Sequence, residues 1–257
     1  MRIRLLPSIA GRESQFQCLT SFLIEDRIAV DGGSIGFALS PDQMSSVCDI
    51  VITHSHNDHI ASLPIFVAEA FIKLEQPITV YGTEDVIAAL REFIFNDRVW
   101  PDFEKIPLLD GSGPTIRFEV LVPRRTVRIA GMNVTPVPVN HIVPTVGLIV
   151  EHDGVTVAFT SDTYVTDEVW EFARAAANLK AVFVDVSFPN EMGQLAAASK
   201  HLTPELLAGE VNKLDRQHAE IIAVHIKPTN RSAVIEQLES LHNPAISVGR
   251  IDHEYIW

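Results

Sequence analysis

The chain has 257 residues, 47% of them hydrophobic and 21% charged, which is typical of a folded globular protein and excludes a largely disordered one. The formal net charge is −13, and so negative a surface disfavours binding to large nucleic acids. No apolar run reaches the roughly 18–20 residues of a membrane span, and the first residues carry no signal-peptide pattern. We therefore expect a cytoplasmic protein without a membrane partner, folded as a single domain over residues 1–257.

The first third of the chain predicts short strands that alternate with helices. Strands are predicted at 17–24, 27–31, 48–53 and 78–81. Apolar residues at helical spacing predict a helix over 62–74, and Thr83 is a predicted N-cap for a helix that ends near Phe95. Residues 96–114 contain three prolines and two glycines, so they predict a long loop of the kind that often carries function.

The rest of the chain repeats this alternation. Strands are predicted at 115–122, 132–138, 146–151, 155–160, 181–186 and 220–225. Helices are predicted at 166–177 and 232–241, and Thr203-Pro204 is a strong helix start, with threonine at the N-cap and proline at the first helical position. Two such strand-and-helix sections predict an α/β fold, a four-layer αββα sandwich in which helices enclose two sheets.

One short segment, Thr53-His54-Ser55-His56-Asn57-Asp58-His59, places three histidines and an aspartate within six residues, directly after a predicted strand. Imidazole and carboxylate groups are ligands for zinc, manganese and iron. His54 and His56 are two residues apart, so an extended backbone would point both side chains to the same side. Asp58 and His59 follow the turn and can face a second ion, so this loop could serve two metal ions.

Three later segments end predicted strands in the same residue types. They supply His141, Asp162 and His225. A single histidine after a strand is more often a surface residue than a ligand, but the three together, in this order after the histidine-rich loop, are much more specific. Four further histidines carry no such pattern and are expected at the surface or in packing roles: His152, His218, His242 and His253.

The order of these residues along the chain resembles that of the metallo-β-lactamase fold superfamily: the motif HxHxDH comes first and is followed by a histidine, an aspartate and a second histidine. The resemblance implies two metal groups that share one aspartate: His54, His56 and His141 for one divalent ion, Asp58, His59 and His225 for a second, and Asp162 as the bridge. Zinc is the expected metal, with manganese or iron as alternatives, since histidine and aspartate sites accept several ions. The strand-ending Asp31 would orient the ligand loops.

Further segments resemble the class II cyclic-nucleotide phosphodiesterases of that superfamily. They lie at 20–24, 80–83, 94–101, 185–188, 200–207 and 225–228. The resemblance implies hydrolysis of a 3′,5′-cyclic nucleotide or a related small phosphodiester. The chain departs from that family at Asp185, where glutamate is usual, at Lys200, where glycine is usual, and at Asn57, where leucine is common.

The expected reaction is attack on phosphorus by a hydroxide held between the two metal ions, which would also neutralise the phosphate. Asp58 would orient this nucleophile in addition to binding metal. His201, directly before the predicted helix, is the candidate general acid for the poor alkoxide leaving group, and Asp185 would hold its other ring nitrogen. The expected partner is a small anionic substrate such as a cyclic nucleotide, and relatives also suggest a homodimer.

Other functions fit parts of the same pattern. A tRNA 3′-end-processing endonuclease shares the histidine before the helix but grips tRNA with a basic arm, which this sequence lacks. A thioester or lactone hydrolase of the same fold would not need His201, and a non-catalytic metal-binding protein would keep the ligands without turnover. Trp100 and Phe103, in the loop 96–114, could either stack on a purine base or anchor the loop by burial.

Overall fold

The computed structural model describes residues 1–8, 17–215 and 219–257, and its strands form two seven-stranded sheets. The strands in these ranges are β1 (Arg2–Leu5), β2 (Phe22–Ile24), β3 (Ile28–Val30), β4 (Asp49–Val51), β5 (Ile78–Gly82), β6 (Ile116–Val120), β7 (Val127–Ile129), β8 (Met132–Pro138), β9 (Val146–His152), β10 (Val155–Phe159), β11 (Leu179–Asp185), β12 (Glu220–Val224), β13 (Ile246–Val248) and β14 (Glu254–Ile256). The first sheet has the order β14-β1-β2-β3-β4-β5-β6, and the second has the order β13-β12-β11-β10-β9-β8-β7.

Helices cover the outer face of each sheet. The α-helices in the described ranges are α1 (Ile35–Ala38), α2 (Pro41–Ser46), α3 (Asn57–Ile60), α4 (Leu63–Ala70), α5 (Glu84–Ala89), α6 (Glu168–Ala175), α7 (Gly193–Ser199), α8 (Pro204–Val211) and α9 (Arg231–Ser240). Apolar residues of α1, α2, α4 and α5 pack with the first sheet, and those of α6, α8 and α9 pack with the second. The expected four-layer αββα sandwich is confirmed. No helix of the described chain is long and apolar enough to cross a bilayer.

The two sheets meet in an apolar core with an aromatic centre. The rings of Phe22 and Phe159 lie 5.0 Å apart edge to face, and Phe159 stacks on Phe183 at 5.1 Å. The ring of Tyr255 meets Phe183 edge to face at 5.4 Å. Because aromatic side chains bury large apolar areas and these contacts add to that burial, the cluster ties strands of both sheets together.

Truncation of this aromatic centre should destabilise the whole fold. We expect Phe183→Ala to lower the free energy of unfolding by about 3–5 kcal/mol, since the fully buried ring would leave a cavity between two rigid sheets. Phe93→Ala, at a side chain that is 60% exposed, is the matched control and should cost far less. Urea unfolding followed by circular dichroism measures both, and equal losses in the two variants would contradict the packing argument.

Parallel strands bring their carboxyl ends to the same edge of the sandwich. In the first sheet β3 pairs in parallel with β4, and in the second sheet β10, β11 and β12 are parallel neighbours. Ligand sites in open α/β sheets lie outside the carboxyl ends of such strands. Asp31, Asp162 and His225 all follow strands of these two sets, so the topology places them at one edge.

The loop 96–114 is held by aromatic anchors. Phe103 is buried, and Trp100 packs against the apolar cluster of the first sheet. The ring of Phe103 lies 6.1 Å from that of Phe71 and 6.5 Å from that of Phe95. Of the two roles left open for Trp100 and Phe103, the structure supports burial as loop anchors.

Candidate metal centre

The predicted ligands converge at the strand ends, although they are far apart in the sequence. The histidine-rich loop joins β4 to α3, His141 follows β8, Asp162 follows β10, and His225 follows β12. Three sets of side chains bring ligand atoms within 4.8 Å of one another, and all three include Asp162. His54, His56, His141 and Asp162 form the first group, and Asp58, His59, His225 and Asp162 form the second group. The third set joins Asp162 and His225 to Asp185 and His201. All seven predicted ligand residues therefore lie in one cluster.

Asp31 fixes the start of the histidine-rich loop. Its Oδ1 accepts a hydrogen bond from the backbone N–H of Thr53 at 2.8 Å, and the Thr53 hydroxyl donates to the same carboxylate at 3.0 Å. Its Oδ2 lies 2.7 Å from Nδ1 of His59. One buried carboxylate thus holds both ends of the loop and orients one histidine ring.

A close backbone approach fixes Asp58. A Cβ atom at Gly33 would lie only 2.1 Å from the Asp58 carbonyl oxygen and 2.6 Å from that of Thr20, so only glycine fits there. The same Asp58 carbonyl accepts a hydrogen bond from the Thr20 N–H at 2.9 Å. Gly33 therefore lets the histidine-rich loop pack directly against the backbone of Thr20.

The first group consists of imidazoles aimed at Asp162. Nε2 of His54 lies 3.8 Å from Oδ2 of Asp162. Nε2 of His141 lies 3.1 Å from Nδ1 of His56, and Nδ1 of His141 donates to the Lys200 carbonyl at 3.0 Å. Such a backbone contact fixes the tautomer, so Nε2 is the nitrogen through which His141 would bind a metal ion.

The second group is more highly charged. Nε2 of His59 lies 3.3 Å from Oδ1 of Asp162, and Nε2 of His225 lies 3.5 Å from Oδ2 of the same residue. Nε2 of His225 also lies 3.1 Å from Oδ2 of Asp58. Asp162 thus presents one oxygen to His59 and the other to His54 and His225, so it belongs to both groups.

The donor atoms fit a divalent metal ion. Nε2 of His54 and Nε2 of His59 are both buried, and neither has a hydrogen-bond partner among the described residues. Their Nδ1 atoms are occupied, by the Thr53 hydroxyl at 3.2 Å and by Asp31 at 2.7 Å. Buried polar atoms without a partner are costly, so two unpartnered nitrogens facing a shared carboxylate suit a bound cation.

The two groups differ in their protonation. Burial lowers the pKa of His54, His56 and His141, so the first group holds neutral imidazoles at neutral pH. Burial opposes the charged form of His225 too, but Asp162, Asp185 and Asp58 outweigh it and raise the pKa of His225 to about 9. The pKa of His59 is likewise raised well above its usual value, because Asp162 and Asp31 outweigh its burial.

The carboxylates of the second group are correspondingly acidic. Burial favours the neutral acid at Asp162, but the charges of His225 and His59 outweigh it and hold the pKa of Asp162 well below its usual value. Burial acts in the same sense at Asp58, where the hydrogen bond and charge of His225 prevail and lower the pKa. The charges of the second group thus favour protonated histidines and ionised aspartates in one another's presence.

His201 lies beside the second group and is held by Asp185. Nδ1 of His201 is 2.7 Å from Oδ2 of Asp185, and the ring stacks on that of His225 with a centroid distance of 5.5 Å. Burial of Asp185 is outweighed by the charge and hydrogen bond of His201, so the pKa of Asp185 falls to about 2. The structure thus brings Asp185 and His201 together as the sequence predicted, and their ligand atoms lie within 4.8 Å of those of Asp162 and His225.

Two further polar residues belong to this centre, and the sequence assigned a role to neither of them. Ser187 donates to Oδ1 of Asp185 at 2.7 Å, and its Oγ lies 3.2 Å from Nδ1 of His201 and 2.9 Å from Nδ1 of His225. Nζ of Lys227 lies 3.2 Å from Oδ2 of Asp58. Both follow a strand by two or three residues, which is the one sequence signal that could have assigned them to the site.

Of the histidines expected outside the centre, His242 is exposed, and the ring of His253 packs on Tyr255 at 4.7 Å. His152 is partly exposed and ends β9. His218 lies outside the described residues.

Comparisons with known proteins agree on the family. Residues 36–226, well over half of the chain, match the family described as "Beta-lactamase superfamily domain". The chain is 28% identical over 209 residues to a protein of Yersinia pestis named "Probable 3′,5′-cyclic-nucleotide phosphodiesterase", covering 72% of this chain and 58% of that protein. It is 23% identical over 296 residues to the Dictyostelium discoideum "cAMP/cGMP-dependent 3′,5′-cAMP/cGMP phosphodiesterase A", covering 82% of this chain and 65% of that protein.

The chain thus spans less than two thirds of the length of these two curated relatives. Among solved structures, unliganded yeast PDE1 superposes with a TM-score of 0.80 at 18% identity, covering 100% of this chain and 99% of that one. At this identity the superposition establishes a shared fold. The match over residues 36–226 shows that the chain belongs to the family described as "Beta-lactamase superfamily domain". Its two helix-covered sheets have the architecture of the metallo-β-lactamase fold superfamily, to which the chain therefore belongs.

Proposed function

We propose that this protein is a metal-dependent hydrolase of small phosphodiesters, and that a 3′,5′-cyclic nucleotide is its substrate. The observation that carries the proposal is the pair of His/Asp groups that share Asp162, with the His201–Asp185 pair beside them. The names of the relatives from Yersinia pestis and Dictyostelium discoideum support the same substrate class.

Two divalent ions would be held by seven side chains. The first group would bind one ion through His54, His56 and His141, the second group would bind the other through Asp58, His59 and His225, and Asp162 would contact both. Zinc suits imidazole and carboxylate ligands, and manganese and iron suit the same set. When bound, the two ions would supply Lewis-acid activation of water and neutralise phosphate charge, which a chain of net charge −13 otherwise repels.

The residues of the chain would then position and protonate the reacting groups. Asp58, besides binding metal, would orient the attacking water from the second group. Because Asp185 holds Nδ1 of His201, the other ring nitrogen is the atom that would donate a proton to the departing ribose oxygen. This pair also favours a phosphodiester over a thioester or lactone, because a general acid matters most for a poor leaving group.

The two ions should differ in pH dependence. The imidazoles of the first group are already neutral at pH 7, whereas His225, whose pKa is raised to about 9, must lose a proton before it can bind metal. We expect the first ion to bind with little proton release, and the affinity for the second to rise about ten-fold per pH unit for each proton displaced between pH 6 and 9. Calorimetric zinc titration in buffers of different ionisation enthalpy counts the protons, and equal release by both ions would contradict this assignment.

The function itself is tested with purified protein loaded with zinc or manganese and incubated with 3′,5′-cyclic AMP. Chromatography should detect 5′-AMP or 3′-AMP, and the isomer identifies the P–O bond that breaks. A panel of cyclic GMP, a linear dinucleotide, a thioester, a lactone and precursor tRNA runs in parallel. Cleavage of the thioester or lactone without any phosphodiester would contradict the proposal. Two bound ions with no hydrolysis of the whole panel would favour a non-catalytic metal-binding protein.

A further inference from the structure

Lys227 places an ammonium group inside the second group. Its Nζ lies 3.2 Å from Oδ2 of Asp58 and 3.3 Å from Nε2 of His225. These are two atoms that the proposed second ion would use as ligands. The side chain is 33% exposed, so the ammonium reaches the ligand atoms from the solvent side.

The backbone of Lys227 is fixed while its side chain can move. Its N–H donates to the Ser187 carbonyl at 3.4 Å, its own carbonyl accepts from the Asn230 N–H at 2.9 Å, and Pro228 follows directly. The ammonium sits on a flexible four-carbon stem with three donors. The group can therefore leave Asp58 and His225 by side-chain rotation alone, without a change in the loop.

Lys227 and a metal ion cannot use the same ligand atoms together. A cation bound to Asp58 would take the carboxylate that the ammonium contacts and repel it, since like charges a few Å apart are strongly unfavourable in a partly buried site. The displaced ammonium would remain tethered at the solvent side of the second group. An anionic phosphate approaching that group would then be its natural partner.

We propose that Lys227 exchanges its ammonium between two partners: it competes with the second metal ion for the Asp58 carboxylate, and once displaced it binds the phosphoryl oxygens of the substrate. This inference rests on the proposed phosphodiesterase function. It makes Lys227 a substrate-binding residue that also sets the affinity of the second ion. A simple structural ion pair with Asp58 would do neither.

The two roles predict opposite changes of affinity in Lys227→Met: tighter binding of the second metal ion and weaker binding of phosphate. Zinc titration against a chelator should show the second ion binding about five- to ten-fold more tightly and the first ion unchanged, because the competing charge is gone. Calorimetry with inorganic phosphate on the zinc-saturated variant should show about ten-fold weaker binding. Lys227→Arg should retain phosphate binding. Lys73→Met, which removes an exposed lysine paired with Asp42 at 2.7 Å, is the charge-matched control and should change neither constant.

Two outcomes would overturn the inference alone. One is a Lys227→Met variant with the wild-type unfolding midpoint that binds phosphate as tightly as the wild type. The other is a loss of second-ion affinity in that variant, as expected for a structural ion pair. If the zinc-saturated wild type binds no phosphate and cleaves no phosphodiester, the proposed function fails, and the inference fails with it.

Discussion

Asp162→Asn should lower kcat/KM for the cyclic nucleotide by at least about a thousand-fold, since loss of a residue that merely supports a ligand already costs 10–100-fold. The reason is the position of the carboxylate, which faces His59 through Oδ1 and faces His54 and His225 through Oδ2. Asparagine keeps the shape but replaces one oxygen with an amide nitrogen and removes the charge. Both metal groups therefore lose affinity together.

Kinetics and metal analysis of the same preparations check this prediction. Elemental analysis should find fewer than two ions per chain in Asp162→Asn and two in the wild type. Asp42→Asn, at a side chain that is 93% exposed, removes the same charge and should change neither value. An Asp162→Asn variant with full metal content and near wild-type kcat/KM would show that Asp162 does not link the two groups.

The second large effect on catalysis is expected at His201, the candidate proton donor to the leaving group. His201→Gln should lower kcat for the cyclic nucleotide by about 10²- to 10⁴-fold, the usual contribution of a general acid, and leave the metal content unchanged. On bis-p-nitrophenyl phosphate, whose leaving group departs without a proton, we expect a loss of less than about ten-fold. A structural role for His201 would affect both substrates alike.

Two further variants separate proton transfer by His201 from a general effect of losing a histidine. Asp185→Asn should follow the same pattern more weakly, because it removes the charge that holds Nδ1 of His201 at 2.7 Å but leaves the ring in place. His152→Gln, at a partly exposed histidine outside the centre, is the matched control. Equal losses on both substrates in His201→Gln, or loss of a metal ion, would contradict a role in proton transfer.

The cluster of ligand residues could be predicted because its signals are local. The spacing HxH after a strand predicts that both histidines face the same side, because side chains two residues apart on an extended backbone point the same way. His141, Asp162 and His225 are recognisable because each lies within three residues of the end of a strand, and parallel strands end at the same edge of the sandwich. The αββα layering likewise follows from the alternation of strands and helices along the chain.

Features that depend on distant pairing were not predictable. β1 and β14 pair the two ends of the described chain, with Ile3 opposite Tyr255, and such short strands carry almost no periodic signal of their own. The contact of Lys227 with Asp58 joins residues 169 positions apart. The contacts of Ser187 with His201 and His225 arise only where the ends of β11 and β12 meet the segment between α7 and α8.

Lys200 is a departure from the resembling family that lies at a special backbone conformation. The resembling family usually has glycine at this position, and the backbone of Lys200 has φ of +59°, in the left-handed region that favours glycine. The carbonyl of this residue accepts the hydrogen bond from Nδ1 of His141. The left-handed backbone at Lys200 thus directs its carbonyl at a predicted metal ligand, at the cost of backbone strain in a lysine.

We propose that seven side chains hold two metal ions that share Asp162. Anomalous diffraction from crystals of the zinc-loaded protein, measured on both sides of the zinc absorption edge, would locate these ions. We expect two anomalous peaks, one among His54, His56 and His141 and the other among Asp58, His59 and His225, with Asp162 between them. A single peak, or no peak within reach of Asp162, would contradict it.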